Sequence, residues 1–220
     1  MFVYKLLVLK YVVILAGGYL LGSIPFGILV GKTFRGIDVR DYGSGNIGAA
    51  NAMRSLGPAL AALVLLGDVV KGIIPAWLSG LFGPPQIDPV LASVMGGLAA
   101  IIGHNASCFL KFKGGKGIAT SLGVILVLSF KSALIVVALF ALVVGITRIS
   151  SLGSLLGAVS LPFLMFYFKE PLLVCSFGIL AAVFAVYKHR DNLKRIITGR
   201  ELKVTPENSR PQAEDEKDDR

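Results

Sequence analysis

Long runs of Leu, Val and Ile recur along the whole chain, parted by short segments that are polar or rich in glycine. A helix needs about 20 predominantly apolar residues to cross a hydrocarbon core of ~30 Å. On that measure the apolar windows predict seven spans, at 9–31, 58–80, 88–107, 117–130, 132–147, 152–168 and 171–188. The expected fold is an all-α integral membrane protein, a bundle of about seven transmembrane helices. One of them is short. The fourth window, "GIATSLGVILVLSF", rises only roughly 21 Å at ~1.5 Å per residue. Its N-terminal end is therefore predicted to sit below the membrane surface, at the floor of a recess. The first run resembles a signal peptide, but it continues well past any Ala-Gly-Gly cleavage point and is read as a span.

Composition agrees with this pattern. Only 16% of residues are charged, where a soluble domain carries about a quarter. The exception is "VTPENSRPQAEDEKDDR", with three basic and six acidic residues and almost nothing apolar. The chain is thus expected to divide into a transmembrane domain, 1–203, and a disordered, charged cytoplasmic tail, 204–220. Without the tail, 19 basic residues face 7 acidic ones, a net charge of +12. That excess suits anionic lipid surfaces or anionic substrates. It does not suit nucleic acid, because the cations sit in short loops and form no continuous stripe. Cys108 and Cys175 lie in apolar contexts and read as buried structural thiols.

Lys and Arg set the expected orientation. Lys32, Arg35, Arg40 and Arg54, then Lys111, Lys113 and Lys116, then Arg148, then Lys188 to Lys203 fall on one side. The other side has Lys131, Lys169, Lys5 and Lys10, and its loop "FGPPQIDP" has no basic residue. The first group is read as cytoplasmic, with the N-terminus outside and the C-terminus inside. Lys5 and Lys10 oppose this for the first helix and are outvoted by the later loops.

Three polar clusters fall on that same face. The first is "GSGNIGAANAMRSLG". Ser44 or Asn46 is placed to cap a short helix, and Gly57–Pro58 to end it and start the next span. Asn51 and Arg54 share a helical face. Small residues packing between helices account for the glycines and alanines here, but not for an arginine and two asparagines. The free N–H groups of a helix start make an anion site. The second cluster is "GHNASCFLKFKGGKGIATS". Lys113, Gly114, Gly115 and Lys116 feed the start of the short helix, a phosphate cradle in physical terms. It is not a Walker A motif: "GKGIAT" lacks the hydroxyl residue after Gly-Lys, and "FGILVGKT" has Phe26 where a glycine is required. The third is "YKHRDNLKRIITGRE". His189 and Asn192 are three apart, with Arg195 one turn further on. Taken alone it reads as a juxtamembrane basic helix on acidic lipid, and its company with the other two changes that.

Two smaller features stand beside these. Asp68 and Lys71 lie inside the second span at i, i+3 spacing, either as an ion pair steadying the bundle or in some role, since intramembrane charge is costly. Arg148, Ser150 and Ser151 mark another span end. No cluster of His, Cys, Asp or Glu supplies a metal site, and no nucleophile motif suggests a covalent intermediate. The residue five beyond His104 is Phe109 and five beyond His189 is Lys194. Neither histidine therefore opens the His-x4-Asp pair of acyl-CoA-dependent glycerolipid acyltransferases. The Asp-rich repeat of CDP-alcohol phosphotransferases is missing too.

"GSGNIGAAN" with Arg54, "FKGGKGIAT" and "HRDNLKRIITGRE", in this order, together resemble the three motifs of the bacterial acyl-phosphate:glycerol-3-phosphate acyltransferases. The likeness runs from "GSIPFG" in the first span to Glu201. It departs at Ala50, where the family usually has threonine, and at Ser107, which replaces a common proline. The resemblance implies a seven-helix acyltransferase domain over 1–203 in the bacterial cytoplasmic (inner) membrane, its site on the cytoplasmic face. The reaction implied is transfer of a fatty acyl group from acyl phosphate to the 1-hydroxyl of glycerol 3-phosphate. It needs no cofactor, metal, acyl-CoA or acyl carrier protein, and it implies a functional link to an enzyme that produces acyl phosphate. Carried onto matching positions, Ser44, Asn51, Arg54 and Lys116 would contact the substrate phosphates, and Ser151, His189 and Asn192 would complete the glycerol 3-phosphate pocket. Gly43, Gly45, Gly114 and Gly115 would let backbone come close. Of these, Ser44, Arg54, His189 and Asn192 are the expected catalytic residues. Asn46, Lys113 and Arg195 join the expected binding set.

Two phosphorylated substrates bring about four negative charges to one site, and Arg54, Lys113, Lys116 and Arg195 answer that need. Acyl phosphate is already activated, so the demand for a strong base is modest. His189 is the titratable candidate for the hydroxyl proton, with the substrate's own phosphate as the alternative acceptor. Two other classes compete: a membrane carrier for a phosphorylated solute, which would show matching interruptions in two halves, and a lipid-binding or assembly protein without chemistry.

Overall fold

The computed structural model describes residues 2–204, with side chains from Val8 onward. Ten α-helices make up the described chain. α1 (Phe2–Ser23) and α2 (Phe26–Arg35) part at Ile24–Pro25, because proline donates no N–H and pushes its predecessor out of the helical region. The single window predicted at 9–31 therefore contains a break. A left-handed Gly36, φ 69°, closes α2. α3 (Ala49–Leu56) is a short helix that ends at Gly57, φ 87°, and Pro58 opens α4 (Pro58–Phe82) as expected. α5 (Pro89–Asn105) is capped by Asp88, whose carboxylate accepts from the N–H groups of Val90 and Leu91.

α6 (Ile118–Leu128) has 11 residues. It is shorter than its window and rises only about 16 Å. α7 (Phe130–Thr147) and α8 (Ser150–Tyr167) are joined at Arg148, φ 61°. α9 (Leu172–Lys188) is followed, after a bend of 61° at His189, by α10 (Arg190–Ile197). All seven apolar windows fall on helices. Among the described residues, five helical segments are long and apolar enough to cross a membrane, counting Val8–Arg35 as one, and the bent pair α9–α10 makes a sixth if it is counted as one span. α6 falls short of that length. From residue 205 on, the predicted tail lies outside the described residues.

The helices pack where small residues allow it. A Cβ on Gly22 or Gly103 would collide with backbone of the facing helix, which brings α1 and α5 into close contact. Gly72 and Gly123 do the same for α4 and α6. One apolar core gathers Ile101, Val124, Leu161, Met165 and Phe177 between α5, α6, α8 and α9. A second, smaller one gathers Ile28, Val39, Ile47, Leu56 and Val64 around α2, α3 and α4. Outward positions such as Leu142 and Ile146 of α7 are left exposed, as a lipid-facing surface requires. Cys175 is buried in the first core, but Cys108 is only half-buried, because it lies in the turn after α5 and not inside a span.

Candidate active site

The first cluster is folded by Asn51. Its side chain, 1% exposed, donates to the carbonyl of Val39 (2.7 Å) and accepts from the N–H (2.9 Å) and hydroxyl (3.2 Å) of Ser44. Gly43, φ 56°, lets the loop turn here, and a Cβ on it would come within 2.5 Å of Asn51 Oδ1. Gly45, φ 65°, continues the turn. Neither Ser44 nor Asn46 caps α3, contrary to the expectation from sequence. The cap is Gly48, without a side-chain bond, because Asn46 Oδ1 is taken by the N–H of Gly48 at 3.0 Å. Arg54, on the face shared with Asn51, donates through Nε to the carbonyl of Lys203 (3.0 Å) and through Nη2 to that of Leu202 (2.9 Å).

In the second cluster the N–H groups of Gly114 and Gly115 donate to the carbonyls of Asn105 (3.2 Å) and His104 (3.1 Å). Both glycines lie so close to the end of α5 that a Cβ on Gly114 would strike the His104 carbonyl, and one on Gly115 the His104 ring. Close approach is thus between the loop and α5. The donors left for an anion are Lys116 and the first-turn N–H groups of α6, which have no intrahelical partner. Lys116 Nζ donates to Asn192 Oδ1.

The third cluster is organised by Glu201, whose role sequence reasoning missed. Its Oε1 accepts from Ser151 (2.7 Å) and Asn192 Nδ2 (2.5 Å), and its Oε2 pairs with Arg195 Nε (2.8 Å). Asn192 is therefore held at both ends of its amide, by Lys116 and by Glu201. The strap beyond Glu201 lies across Arg54 and is pinned where Val204 N donates to the carbonyl of Arg148 (2.7 Å). His189 Nδ1 donates to the carbonyl of Ala185 (2.8 Å), which leaves Nε2 as the lone-pair nitrogen.

Ser44, Asn46, Asn51, Arg54, Lys116, Ser151, His189 and Asn192 all line one cavity of ≈ 500 Å³. Glu201, Asn105, Asp68 and His104 line it as well, and sequence reasoning had placed none of the four in the site. The carboxamide of Asn105 is buried with neither polar atom hydrogen-bonded. Its signal in the sequence was only its place beside His104. Gly43, Gly45, Gly114 and Gly115 stand behind the wall as turn and packing positions. Lys113 is exposed outside it. Arg195 also stands outside and acts on the wall through Glu201. The cavity then continues between apolar side chains, among them Leu122, Phe140, Leu161, Phe177 and Phe184.

The electrostatics of this pole are set by buried cations held close together around one carboxylate. Burial, with the nearby Arg195 and Arg54 charges, lowers the Lys116 ammonium to about 8 against the pull of Glu201 and Asp191. Burial and the Lys116 charge lower His189 to about 4, with the Ala185 carbonyl and Glu201 opposing. Burial pushes Glu201 up, but the bonds from Asn192, Ser151 and Arg195 outweigh it and hold the carboxyl below its ordinary value. Any anion placed beside Lys116 and His189 would oppose both shifts, since opposite charge favours the protonated form.

The family model described as glycerol-3-phosphate acyltransferase matches residues 12–199. A glycerol-3-phosphate acyltransferase of Trichlorobacter lovleyi is 46% identical, covering 86% of this chain and 95% of its own. That of Fusobacterium nucleatum is 44% identical, covering 84% and 93%. Among solved structures, the integral membrane glycerol 3-phosphate acyltransferase PlsY (YgiH) in its glycerol 3-phosphate form superposes with a TM-score of 0.81 at 35% identity, over 88% of this chain and 94% of that one. Its lysophosphatidic acid form superposes with a TM-score of 0.80 at 34% identity, over 90% and 97%. By the extent of these matches the chain belongs to the glycerol-3-phosphate acyltransferase family.

Proposed function

We propose that this chain transfers a fatty acyl group from acyl phosphate to the 1-hydroxyl of glycerol 3-phosphate, giving lysophosphatidic acid and inorganic phosphate. Acylation of glycerol 3-phosphate is the activity of the family, and acyl phosphate as donor is the finer reading. The observation that carries it is a single cavity with a cationic, hydrogen-bonding pole and an apolar slot. Such a space suits two phosphorylated molecules, one of them bearing a fatty chain. A donor built on a nucleotide or a carrier protein would ask for a larger polar mouth.

Arg54 keeps three of its five N–H donors after binding the strap. With Lys116 and the start of α6 it neutralises the phosphates and holds them beside each other, and such placement is itself worth many powers of ten in rate. The glycerol hydroxyl attacks the acyl carbonyl, the bond from that carbon to the phosphate oxygen breaks, and phosphate leaves with the electron pair. The hydroxyl proton goes to His189 Nε2 or to a phosphate oxygen. Burial lowers His189 to about 4, and a neighbouring phosphate offsets only part of that, so the first task of the ring is to accept and orient the hydroxyl hydrogen bond. The phosphate is the stronger acceptor. Ser44, Ser151 and Asn192 complete the polar wall.

The bundle is set in the bacterial inner membrane with its C-terminus and polar pole at the cytoplasmic side, supported by the excess of Lys and Arg at that end. A carrier for a phosphorylated solute is the weaker reading, since the chain's relatives are enzymes. Purified protein with palmitoyl phosphate and glycerol 3-phosphate should release phosphate and form lysophosphatidic acid. Acylation only with palmitoyl-CoA, or transport into vesicles without phosphate release, would refute this donor.

A further inference from the structure

The two charges inside α4 and the second histidine have no part in the reaction as proposed above, yet they form one buried group. Asp68, Lys71 and His104 are 2%, 3% and 3% exposed. Asp68 Oδ1 stands between the other two, 2.8 Å from Lys71 Nζ and 3.6 Å from His104 Nδ1. Lys71 also donates to the carbonyl of Ile24 (2.7 Å), at the break between α1 and α2. On its far side, the His104 ring turns Nε2 toward Gly115, so close that a Cβ there would collide with it. The backbone of the same residue accepts from Gly115 N. Asp68 and His104 both border the cavity.

An ion pair that merely steadied the bundle would be a costly choice, because two charges must be stripped of water and apolar residues of the same size often do as well. The third member gives the pair a further task. We propose that Lys71, Asp68 and His104 form a positioning chain that fixes the Gly114–Lys116 loop, and with it the Lys116 ammonium, for phosphate. The Ile24 carbonyl anchors Lys71, Lys71 holds Asp68, the Asp68 carboxylate faces the imidazole at 3.6 Å by charge and not through a hydrogen bond, and the imidazole sets the height of Gly115, the residue before Lys116. None of the three touches the reacting atoms.

This inference rests on the anion-binding reading of the cavity, and its test is independent of acyl transfer. Inorganic phosphate binding is measured by calorimetry on the full chain in detergent, together with KM and kcat for glycerol 3-phosphate and with Tm. Asp68→Asn and His104→Gln are each expected to weaken phosphate binding about tenfold and to raise KM more than they lower kcat, a displaced loop being felt in placement. Gly115→Ala should weaken phosphate binding about tenfold or more, and adding His104→Ala should restore part of that loss, a coupling of contacting sites. Losses that simply multiply in the double variant, or a lower Tm with phosphate binding unchanged in Asp68→Asn, would overturn the proposal. If His104→Ala does not fold, His104→Asn makes the same space with a polar side chain and carries the same comparison. Wild-type protein that binds phosphate but transfers no acyl group would refute the enzyme reading alone.

Discussion

Arg54 Nη2 donates to the carbonyl of Leu202 at 2.9 Å, across 148 positions of sequence. The bond ties the first polar cluster to the strap that follows the third. It also aims the guanidinium, because a fork held by two carbonyls presents its remaining donors in one direction.

Replacing Arg54 should therefore separate charge from geometry. Arg54→Ala is expected to lower kcat/KM by about 10³-fold or more while the protein still elutes as a folded species in detergent. Arg54→Lys keeps the charge and loses the fork, and should recover only part of that activity. Near-normal turnover in Arg54→Ala would remove Arg54 from the anion site, and near-normal turnover in Arg54→Lys would show that its charge suffices without the fork.

Glu201→Gln tests the hub of the third cluster. The amide keeps one acceptor oxygen but loses the charge opposite Arg195, so both Asn192 and the strap are less well held. Tm should fall by several degrees and kcat/KM by roughly 10- to 100-fold, in line with losing hydrogen bonds to a charged group. Removal of Arg195 alone, as Arg195→Gln, should do less, because Arg195 lies at the exposed edge of the network.

Lys116 predicts the alkaline limb of the pH profile. Its ammonium is lowered to about 8 in the free site, so rising pH discharges it there before an anion arrives. The profile of kcat/KM should fall roughly tenfold per pH unit above about 8, while kcat, read with substrate bound, holds to higher pH. A flat profile from pH 7 to 9.5 would contradict this placement.

His189 predicts a stability limb instead. An unfolded imidazole takes its proton near 6.5, but the buried ring does so only near about 4. Between those values the unfolded chain binds more protons, so stability falls as pH drops through the window and is unaffected above it. His189→Gln should flatten that loss in thermal melts between pH 7 and 5. The same variant, assayed at pH 7.5, should raise KM or lower kcat by about tenfold, and unchanged values of both would remove His189 from the reaction.

Much of the fold was legible along the chain because the requirement of a bilayer is local: a segment is apolar for about 20 residues or it is not. That is why the windows over α4, α5 and α7 to α9 matched helices, and why α6 was recognised as short from its own length. The three clusters were likewise visible as glycine, asparagine and cation where lipid tolerates none. What cannot be seen locally is which donor meets which acceptor. The glycines of "KGGK" looked like open backbone, but the end of α5 takes both N–H groups. Glu201 looked like the last letter of a motif, and helix packing made it the acceptor of Ser151, Asn192 and Arg195. Asp68 and Lys71 showed as a pair, and only the arrival of His104 from α5 made them part of the loop's support. Hydrophobic length is read residue by residue, so sequence alone placed the apolar helices and the polar stretches between them. Hydrogen bonds join residues up to 149 positions apart, so only the packed bundle decided the cavity and the partners within it.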